Sequence, residues 1–157
     1  MSGEFTHLDE SGAARMVDVS AKDVTVRTAT ATGFVHLSGE CMEALRSGDV
    51  PKGDALAVAR IAGIQAAKRT PDLVPLCHPI AIHAASVTLT LAEDGVRISA
   101  MVRTADRTGV EMEALTSVSV AALTLIDMVK AIDPGAVITD VRVEEKTGGK
   151  TGLWRRS

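Results

Sequence analysis

The clearest chemical signal in this sequence is a set of acidic and basic residues at the two ends of one apolar stretch, Gly109 to Ala131. Glu111 and Glu113 stand at its beginning, and Asp127 and Lys130 stand near its end. Carboxylate and amine groups are suited to general acid–base catalysis. Asp127 and Lys130 are an i,i+3 pair, so on a helix they share a face and could equally form an ordinary ion pair. Residue type alone leaves both interpretations open.

A second set consists of lysines in glycine-containing loops, namely Lys52, Lys146 and Lys150. Clustered lysines suit phosphate groups, and glycines let a backbone approach an anion closely. The Gly149-Lys150-Thr151 run is not a P-loop, because Glu144 stands where its first glycine belongs and no helix is predicted to follow. We therefore predict that Lys146 and Lys150 contact an anionic substrate. A disordered basic tail is the alternative.

A third feature is the segment LVPLCHPI, in which two prolines bracket Leu76, Cys77 and His78. Proline fixes its own φ and restricts the residue before it, so this segment is expected to be a stiff loop. It would hold a thiol and an imidazole in fixed positions. The alternative is an apolar crossover that happens to carry a surface histidine.

Two common kinds of site are not predicted. Adjacent Cys77 and His78 rarely reach one tetrahedral ion together, and the sequence has no second ligand pair, so no metal site is expected. A Ser/His/Asp hydrolase is not indicated either, because no nucleophile-elbow sequence is present. The remaining histidines are interpreted as structural or surface residues; they are His7, His36 and His83.

Length and composition indicate one globular domain over residues 1–157, with residues 1–14 as a flexible arm and 146–157 as a glycine/lysine loop and tail. The two cysteines fit a reducing cytoplasm, and neither a membrane-length apolar run nor a signal peptide is evident. Net charge is −3, so any anion site must be local. Aromatic residues make up 2%, which is a poor supply for stacking nucleic-acid bases.

Hydrophobic periodicity predicts an α+β protein with the ferredoxin-like order β-α-β-β-α-β, an antiparallel sheet and helices packed on one face. Ser38 and Gly48 are expected to cap a short helix, and Asp54 a second one that Pro71 ends. An Asp94-Gly95 turn predicts a β-hairpin. The other predicted elements are a possible extended segment at 16–20, a strand over 23–37 broken near Gly33, a helix within 109–131, and a last strand over 137–143.

Helix geometry separates the acidic residues of the long helix. Glu113 and Asp127 are fourteen positions apart, which places them nearly on one face but roughly 21 Å apart along a straight helix. A single small-molecule pocket in one chain could not easily use both ends. We therefore hypothesise that a neighbouring subunit completes the site.

Two other classes of protein compete with an enzyme. A ferredoxin-like RNA-binding module should expose aromatic side chains on its sheet, and this chain has almost none. A non-catalytic oligomerisation domain gives no reason for the proline-bracketed loop and the glycine–lysine loops in one chain.

The sequence resembles a known family along nearly its whole length, from Met16 to Gly152. The runs that carry the resemblance are KGDALAVARIAGIQAAKRT, LVPLCHPI, GVEMEALTSVSVAALTLIDMVKA and KTGGKTG. In this order they are similar to the cyclic pyranopterin monophosphate synthase family of molybdenum-cofactor biosynthesis, the protein C family. One departure is Ile126, where many members have tyrosine.

The resemblance implies roles for individual residues. Asp127 is implied to be the active-site aspartate, and Lys52 and Lys130 to be the lysines of the acid–base chemistry. Lys146 is implied to lie near the phosphates, with Arg27 and Asp18 at further pocket positions. The positions implied to bind substrate are Leu76, Cys77, His78, Glu111, Met112 and Glu113.

The resemblance also implies an activity and an assembly. Members convert (8S)-3′,8-cyclo-7,8-dihydroguanosine 5′-triphosphate into cyclic pyranopterin monophosphate and release diphosphate, without a redox cofactor. They have a ferredoxin-like fold and form homohexamers, as trimers of dimers, with pockets at subunit interfaces.

Overall fold

Five strands and four helices make up the fold of this protein, seen in a computed structural model that describes residues 5–157. The strands are β1 (Thr25–His36), β2 (Ala84–Leu91), β3 (Gly95–Asp106), β4 (Val137–Thr147) and β5 (Trp154–Arg155). The helices are α1 (Gly39–Ser47), α2 (Ala55–Ala67), α3 (Thr70–Leu73) and α4 (Glu111–Val129).

The sheet has the order β2-β3-β1-β4-β5, and every neighbouring pair is antiparallel. The four long strands and the helices between them give the predicted β-α-β-β-α-β order, so the α+β ferredoxin-like prediction is confirmed. α4 lies across β1, β3 and β4, while α2 packs against α4 and β2. The long helix is therefore the element that connects all parts of the core.

The alternation of buried and more exposed residues along the central strands shows which face of the sheet the helices cover. In β1, Ala29, Ala31 and Val35 are buried, and in β3 every second residue from Val96 to Thr104 is buried. The residues between them, mainly threonines, arginines and serines, face away from the helices. The side of the sheet opposite the helices is consequently polar.

Local sequence signals set both ends of α1 and the start of α2 as predicted. Ser38 Oγ accepts a hydrogen bond from the backbone N–H of Cys41, and Gly48 follows α1 with φ of 81°. Asp54 accepts a hydrogen bond from the N–H of Ala57 at the start of α2. These caps satisfy backbone groups that a helix end leaves without partners.

The close contact between α2 and α4 depends on a small residue. A Cβ at Gly63 would lie 3.0 Å from the Ser117 carbonyl oxygen and 3.2 Å from Ala121 Cβ. Only a residue without a side chain lets the two helices approach each other this closely.

By length and composition α4 could cross a membrane, but half of its apolar window is buried inside the protein, as in a core helix.

Several element boundaries differ from the sequence prediction. β1 runs through Gly33 without a break, and the irregularity appears instead as register shifts against β4. β4 continues to Thr147 and pairs with β5, which periodicity did not predict because charged residues fill this region. α2 ends at Ala67, and Pro71 lies in the first turn of α3 rather than directly ending α2.

The N-terminal segments lack regular strands. Residues 16–20 form no strand, in contrast to the possible extended segment of the prediction. In the preceding arm, Leu8 and Ala14 form an isolated β-bridge, and the Asp9 carboxylate accepts hydrogen bonds from the N–H groups of Ser11 and Ala13. Residues 1–4 of the predicted arm lie outside the described residues, and its flexibility stays a prediction.

Candidate active site

An ion-pair cluster lies at the C-terminal end of α4. Asp127 Oδ1 accepts a hydrogen bond from Lys130 Nζ at 2.8 Å, and Oδ2 accepts one from Lys52 Nζ at 3.1 Å. Lys52 comes from the loop between α1 and α2, so two separate elements meet here. The three side chains are 43% to 58% exposed, and solvent therefore screens their attraction. They contribute little to stability and remain open to a ligand.

The two lysines keep the Asp127 carboxyl ionised. Hydrogen bonds from Lys130 and then Lys52 lower the pKa of the Asp127 carboxyl below its ordinary value. The carboxylate is thus ionised and holds two amines beside one another. Ile126, next to it, turns inward and packs against the core. Such a group can accept or donate protons at a substrate that reaches it.

The proline-bracketed loop lies near the other end of α4, and its histidine is fixed. His78 Nε2 donates a hydrogen bond to the backbone carbonyl of Val17. A carbonyl oxygen only accepts, so Nε2 carries a proton and, in the neutral ring, Nδ1 is the acceptor. The same contact ties Val17, in the segment over residues 16–20, to this loop.

Beneath the loop, Cys77 meets a buried glutamate. Cys77 Sγ lies 3.6 Å from Glu113 Oε1, and Glu113 is only 1% exposed. Glu113 Oε2 and Ser117 Oγ, one helical turn further along, have no hydrogen-bond partner within residues 5–157. A buried carboxyl oxygen without a partner is costly, and it is the kind of atom that a bound ligand can satisfy.

Burial changes the acidity of both groups. It raises the pKa of the Glu113 carboxyl. Burial and, next, the negative charge of Glu113 raise the pKa of the Cys77 thiol to about 11. Cys77 therefore stays a neutral thiol near pH 7 and is suited to contact a ligand rather than to attack one.

This acidity can be tested with a Cys41→Ser variant, which leaves Cys77 as the sole cysteine. We expect alkylation of Cys77 by iodoacetamide to increase with pH towards a midpoint near 11, well above the ordinary value of 9.0. Adding Glu113→Gln should lower that midpoint, because it removes the neighbouring negative charge. A midpoint near 9.0 in the parent, or no change on removing the carboxylate, would contradict the assignment.

A large cavity opens beside this loop at the N-terminal end of α4. Its volume is about 1060 Å³, and its walls are mainly apolar, with a few polar side chains among them. Such a composition is typical of sites that bind a small molecule. Among the predicted residues, those that line it are Leu76, Cys77, His78, Glu111, Met112 and Lys146.

A second cavity of about 780 Å³ adjoins the first and is strongly cationic. Lys22, Arg27, Lys146 and Lys150 line it, and Glu111 lines both cavities. Lys146 Nζ lies 2.9 Å from Glu111 Oε1. The two cavities also share Lys22, Thr108, Gly109 and Thr151, so they form one continuous cleft with an apolar part and a basic part.

The basic part is built on the glycine loop. Gly148 and Gly149 have φ of 92° and 73°, values that side-chain-bearing residues rarely adopt. Both pack against Arg27, whose Nε donates to the Asp106 carbonyl at 3.2 Å. The guanidinium is therefore anchored by main-chain oxygens and makes no ion pair with a carboxylate in the described chain. Its charge remains available for an anion.

The structure separates the predicted residues into two groups. The cleft at the N-terminal end of α4 gathers the residues of the proline-bracketed loop and of the glycine loop together with Arg27, Glu111 and Met112. Glu113 lies beneath Cys77 and lines neither cavity. Asp18 lies outside the linings of both cavities; its carboxylate accepts from the Ser20 N–H at 2.9 Å, and its pKa is lowered by Ser20 and, less strongly, by nearby His78. Asp127, Lys130 and Lys52 lie at the opposite end of α4. One chain does not bring the two groups together.

Some lining residues were not identified from the sequence. Lys22, Thr108 and Thr151 line both cavities, and Trp154 lines the first. Trp154 was taken as part of a tail, but the pairing of β5 with Lys146 in β4 places it over the cleft. Lys22 follows Asp18 by four positions, a spacing that gave no chemical signal by itself. No group of three His, Cys, Asp or Glu residues suited to a metal ion occurs within residues 5–157.

Sequence comparison places this arrangement among known proteins. The profile described as the MoaC family matches residues 16–149. A Streptomyces avermitilis protein named cyclic pyranopterin monophosphate synthase is 70% identical over 153 residues, which cover 98% of this chain and 90% of the relative. A Nocardioides protein of that name is 66% identical, over 97% and 95% of the two chains. A Mycobacterium tuberculosis protein named cyclic pyranopterin monophosphate synthase 2 is 57% identical, over 99% and 93%.

The matched range includes every predicted site residue from Asp18 to Lys146 and ends one residue before Lys150, and the identity to relatives extends along almost the whole chain. A match of this extent does not arise from a shared fold alone. The chain belongs to the MoaC family.

Proposed function

We propose that this chain is an enzyme of molybdenum-cofactor biosynthesis that converts (8S)-3′,8-cyclo-7,8-dihydroguanosine 5′-triphosphate into cyclic pyranopterin monophosphate and releases diphosphate. The observation that carries the proposal is the identity of 70%, over 98% of this chain, to a protein named cyclic pyranopterin monophosphate synthase. The cleft supports it, because an apolar part and a cationic part suit a ring system joined to a triphosphate.

The apolar part of the cleft is proposed to receive the guanine-derived ring. His78 Nδ1 offers a hydrogen-bonding group there, and Leu76, Cys77 and Met112 supply packing surface. The buried Glu113 carboxyl does not line the cavity but lies directly behind Cys77. Glu113 Oε2 is buried and lacks a partner among the described residues, and in this proposal it pairs with an amide-like edge of the ring once Cys77 moves aside.

The cationic part is proposed to hold the triphosphate. Arg27, Lys146 and Lys150 line it beside backbone bent by two glycines of positive φ. Ammonium and guanidinium groups form charge-assisted hydrogen bonds with phosphate oxygens. Asp18 lies outside the cavity lining, and we assign it to the edge of the site. Hydrogen bonds from Ser20 and, to a smaller extent, the nearby His78 lower the pKa of its carboxyl.

Asp127, Lys130 and Lys52 are proposed to move protons during the reaction. As the ring is hydrolysed and rearranged, amines and a carboxylate in direct contact can exchange protons with the substrate. In the final step a ribose hydroxyl oxygen bonds to the innermost phosphorus. The bond from that phosphorus to the bridging oxygen breaks, the electron pair leaves with diphosphate, and the hydroxyl proton passes to a base of this cluster.

The assembly proposed is a homohexamer, a trimer of dimers in the cytoplasm, with each site at a subunit interface and each chain forming one domain. Its support is the separation of the acid–base cluster from the cleft, by roughly 21 Å along α4. A second subunit that turns its cleft towards the cluster would join them. No cofactor, metal or nucleic acid is included in the proposal.

The test is incubation of the purified full-length protein with the cyclic guanosine triphosphate intermediate. We expect mass spectrometry to detect cyclic pyranopterin monophosphate, and an enzyme-coupled assay to detect an equal amount of diphosphate. Protein boiled before the incubation is the control. Absence of both products under conditions in which a relative of the family is active would refute the proposal.

A further inference from the structure

We propose that Glu111 is an internal counter-ion, which neutralises Lys146 while the cleft is free and competes with the phosphates of the ligand for that lysine. The inference rests on the proposed function, because it assigns the cationic part of the cleft to phosphate groups. In this role Glu111 weakens the binding of the phosphates instead of strengthening it.

The ion pair stands where the two cavities meet. Glu111 and Lys146 line both of them, and their charged atoms are 2.9 Å apart with side chains 25% and 38% exposed. A ligand that extends from the apolar part into the basic part must pass this pair. Partial burial makes the attraction stronger than that of a fully exposed pair.

Lys146 differs from the other cations of the basic cavity. Lys22, Arg27 and Lys150 make no ion pair with any carboxylate in the part of the chain that the structure describes. Cations outnumber carboxylates among the lining residues by four to two. The cavity therefore attracts anions strongly, and Glu111 cancels the charge of one lysine at its entrance.

The position of Glu111 is built into the start of α4. Its carboxylate folds back over Gly109, where a side chain would occupy the same space. It also lies in the first turn of α4, where the positive end of the helix dipole favours a carboxylate. The helix end stabilises the negative charge even when Lys146 turns away, so the carboxylate remains close to any bound phosphate.

The competition for Lys146 also affects release of the leaving group, diphosphate. Diphosphate carries several negative charges, and a cavity with four cations would otherwise hold it firmly after the phosphorus–oxygen bond breaks. A carboxylate that competes for Lys146 weakens its binding and speeds its departure. Glu111 is therefore expected to favour product release at the expense of phosphate affinity.

The experiment measures binding of inorganic diphosphate to the full-length protein by isothermal titration calorimetry. Glu111→Gln keeps the shape of the side chain and removes its charge, so we expect the Kd for diphosphate to fall about fivefold. Diphosphate should also become a stronger inhibitor of turnover in this variant. Lys146→Met should raise the Kd.

Two controls isolate the ion pair from a general change of charge. Glu145→Gln changes the net charge by the same amount, at the residue next to Lys146 in the sequence. Glu145 pairs with Arg155, and neither residue lines either cavity. We expect it to leave the Kd unchanged. In the Lys146→Met background, Glu111→Gln should give a clearly smaller gain, because the cation for which Glu111 competes is absent and only its direct repulsion of the phosphates is removed.

Several results would overturn the inference: an unchanged or higher Kd in Glu111→Gln, an equal gain in Glu145→Gln, a gain of undiminished size in the Lys146→Met background, or no diphosphate binding by the parent protein. These outcomes are separate from failure of the proposed function. If the parent protein converts the cyclic triphosphate intermediate while Glu111→Gln binds diphosphate no better, the function stands and the counter-ion role fails.

Discussion

Replacing Asp127 with asparagine is expected to reduce turnover of the cyclic guanosine triphosphate intermediate by a factor on the order of 10³, the scale of a positioned acid–base group. The asparagine keeps the shape of the side chain but cannot accept a proton or hold two ammonium groups by charge. Lys52→Ala should cause a loss of similar size, because it removes one of the two amines that contact the carboxylate.

A matched control exists for this experiment. Asp72 also forms an exposed i,i+3 ion pair, with Arg69 at 3.8 Å, and lies outside the proposed machinery. Asp72→Asn should therefore leave turnover unchanged. Because the Asp127 cluster is solvent-exposed, neither Asp127→Asn nor Lys52→Ala should alter thermal unfolding noticeably. Near-normal turnover in both variants would show that the cluster is an ordinary surface ion pair.

Much of the fold could be predicted because local signals agree with tertiary packing. Ser38, Gly48 and Asp54 cap helices where the sequence predicts caps, and the Asp94-Gly95 turn joins β2 and β3. β5 could not be predicted, since two residues carry no periodicity. Their strand conformation depends on pairing with Glu145 and Lys146, which the sequence alone does not reveal.

The chemistry of the candidate site was more predictable than its geometry. Residue types indicated an anion-binding loop and an acid–base group, and the structure places Lys146 and Lys150 in a cationic cavity. Lys22 was missed because a single lysine without glycine neighbours carries no signal until the fold brings it to the cleft. The contact of Lys52 with Asp127 joins residues 75 positions apart, and helix spacing cannot indicate it.

The separation of the two groups follows from the rigidity of α4. The helix begins at Glu111, near the cleft, and ends at Val129, beside the acid–base cluster. A helix of this length cannot bend so far that its ends share a small ligand. Either the cluster is unrelated to the cleft, or a second chain supplies the other half of each site. Isologous pairing in a dimer would create two identical composite sites.

Mixing two inactive variants distinguishes these alternatives. We expect Asp127→Asn and His78→Ala each to be nearly inactive as pure proteins. When equal amounts are unfolded together and refolded, half of the dimers should be mixed. Each mixed dimer would contain one site with both substitutions and one intact site. Turnover should then recover to roughly a quarter of the parent value, far above the residual activity of either variant.

The matched control combines Asp127→Asn with Lys52→Ala. Both residues belong to the cluster of one chain, where their side chains are 3.1 Å apart, so no mixed dimer contains an intact cluster. This mixture should stay inactive. Recovery in the first mixture and not in the second requires that the cleft of one subunit works with the cluster of another. If neither mixture recovers although refolded parent protein does, each site lies within one chain, and the cluster at the end of α4 cannot be its acid–base group.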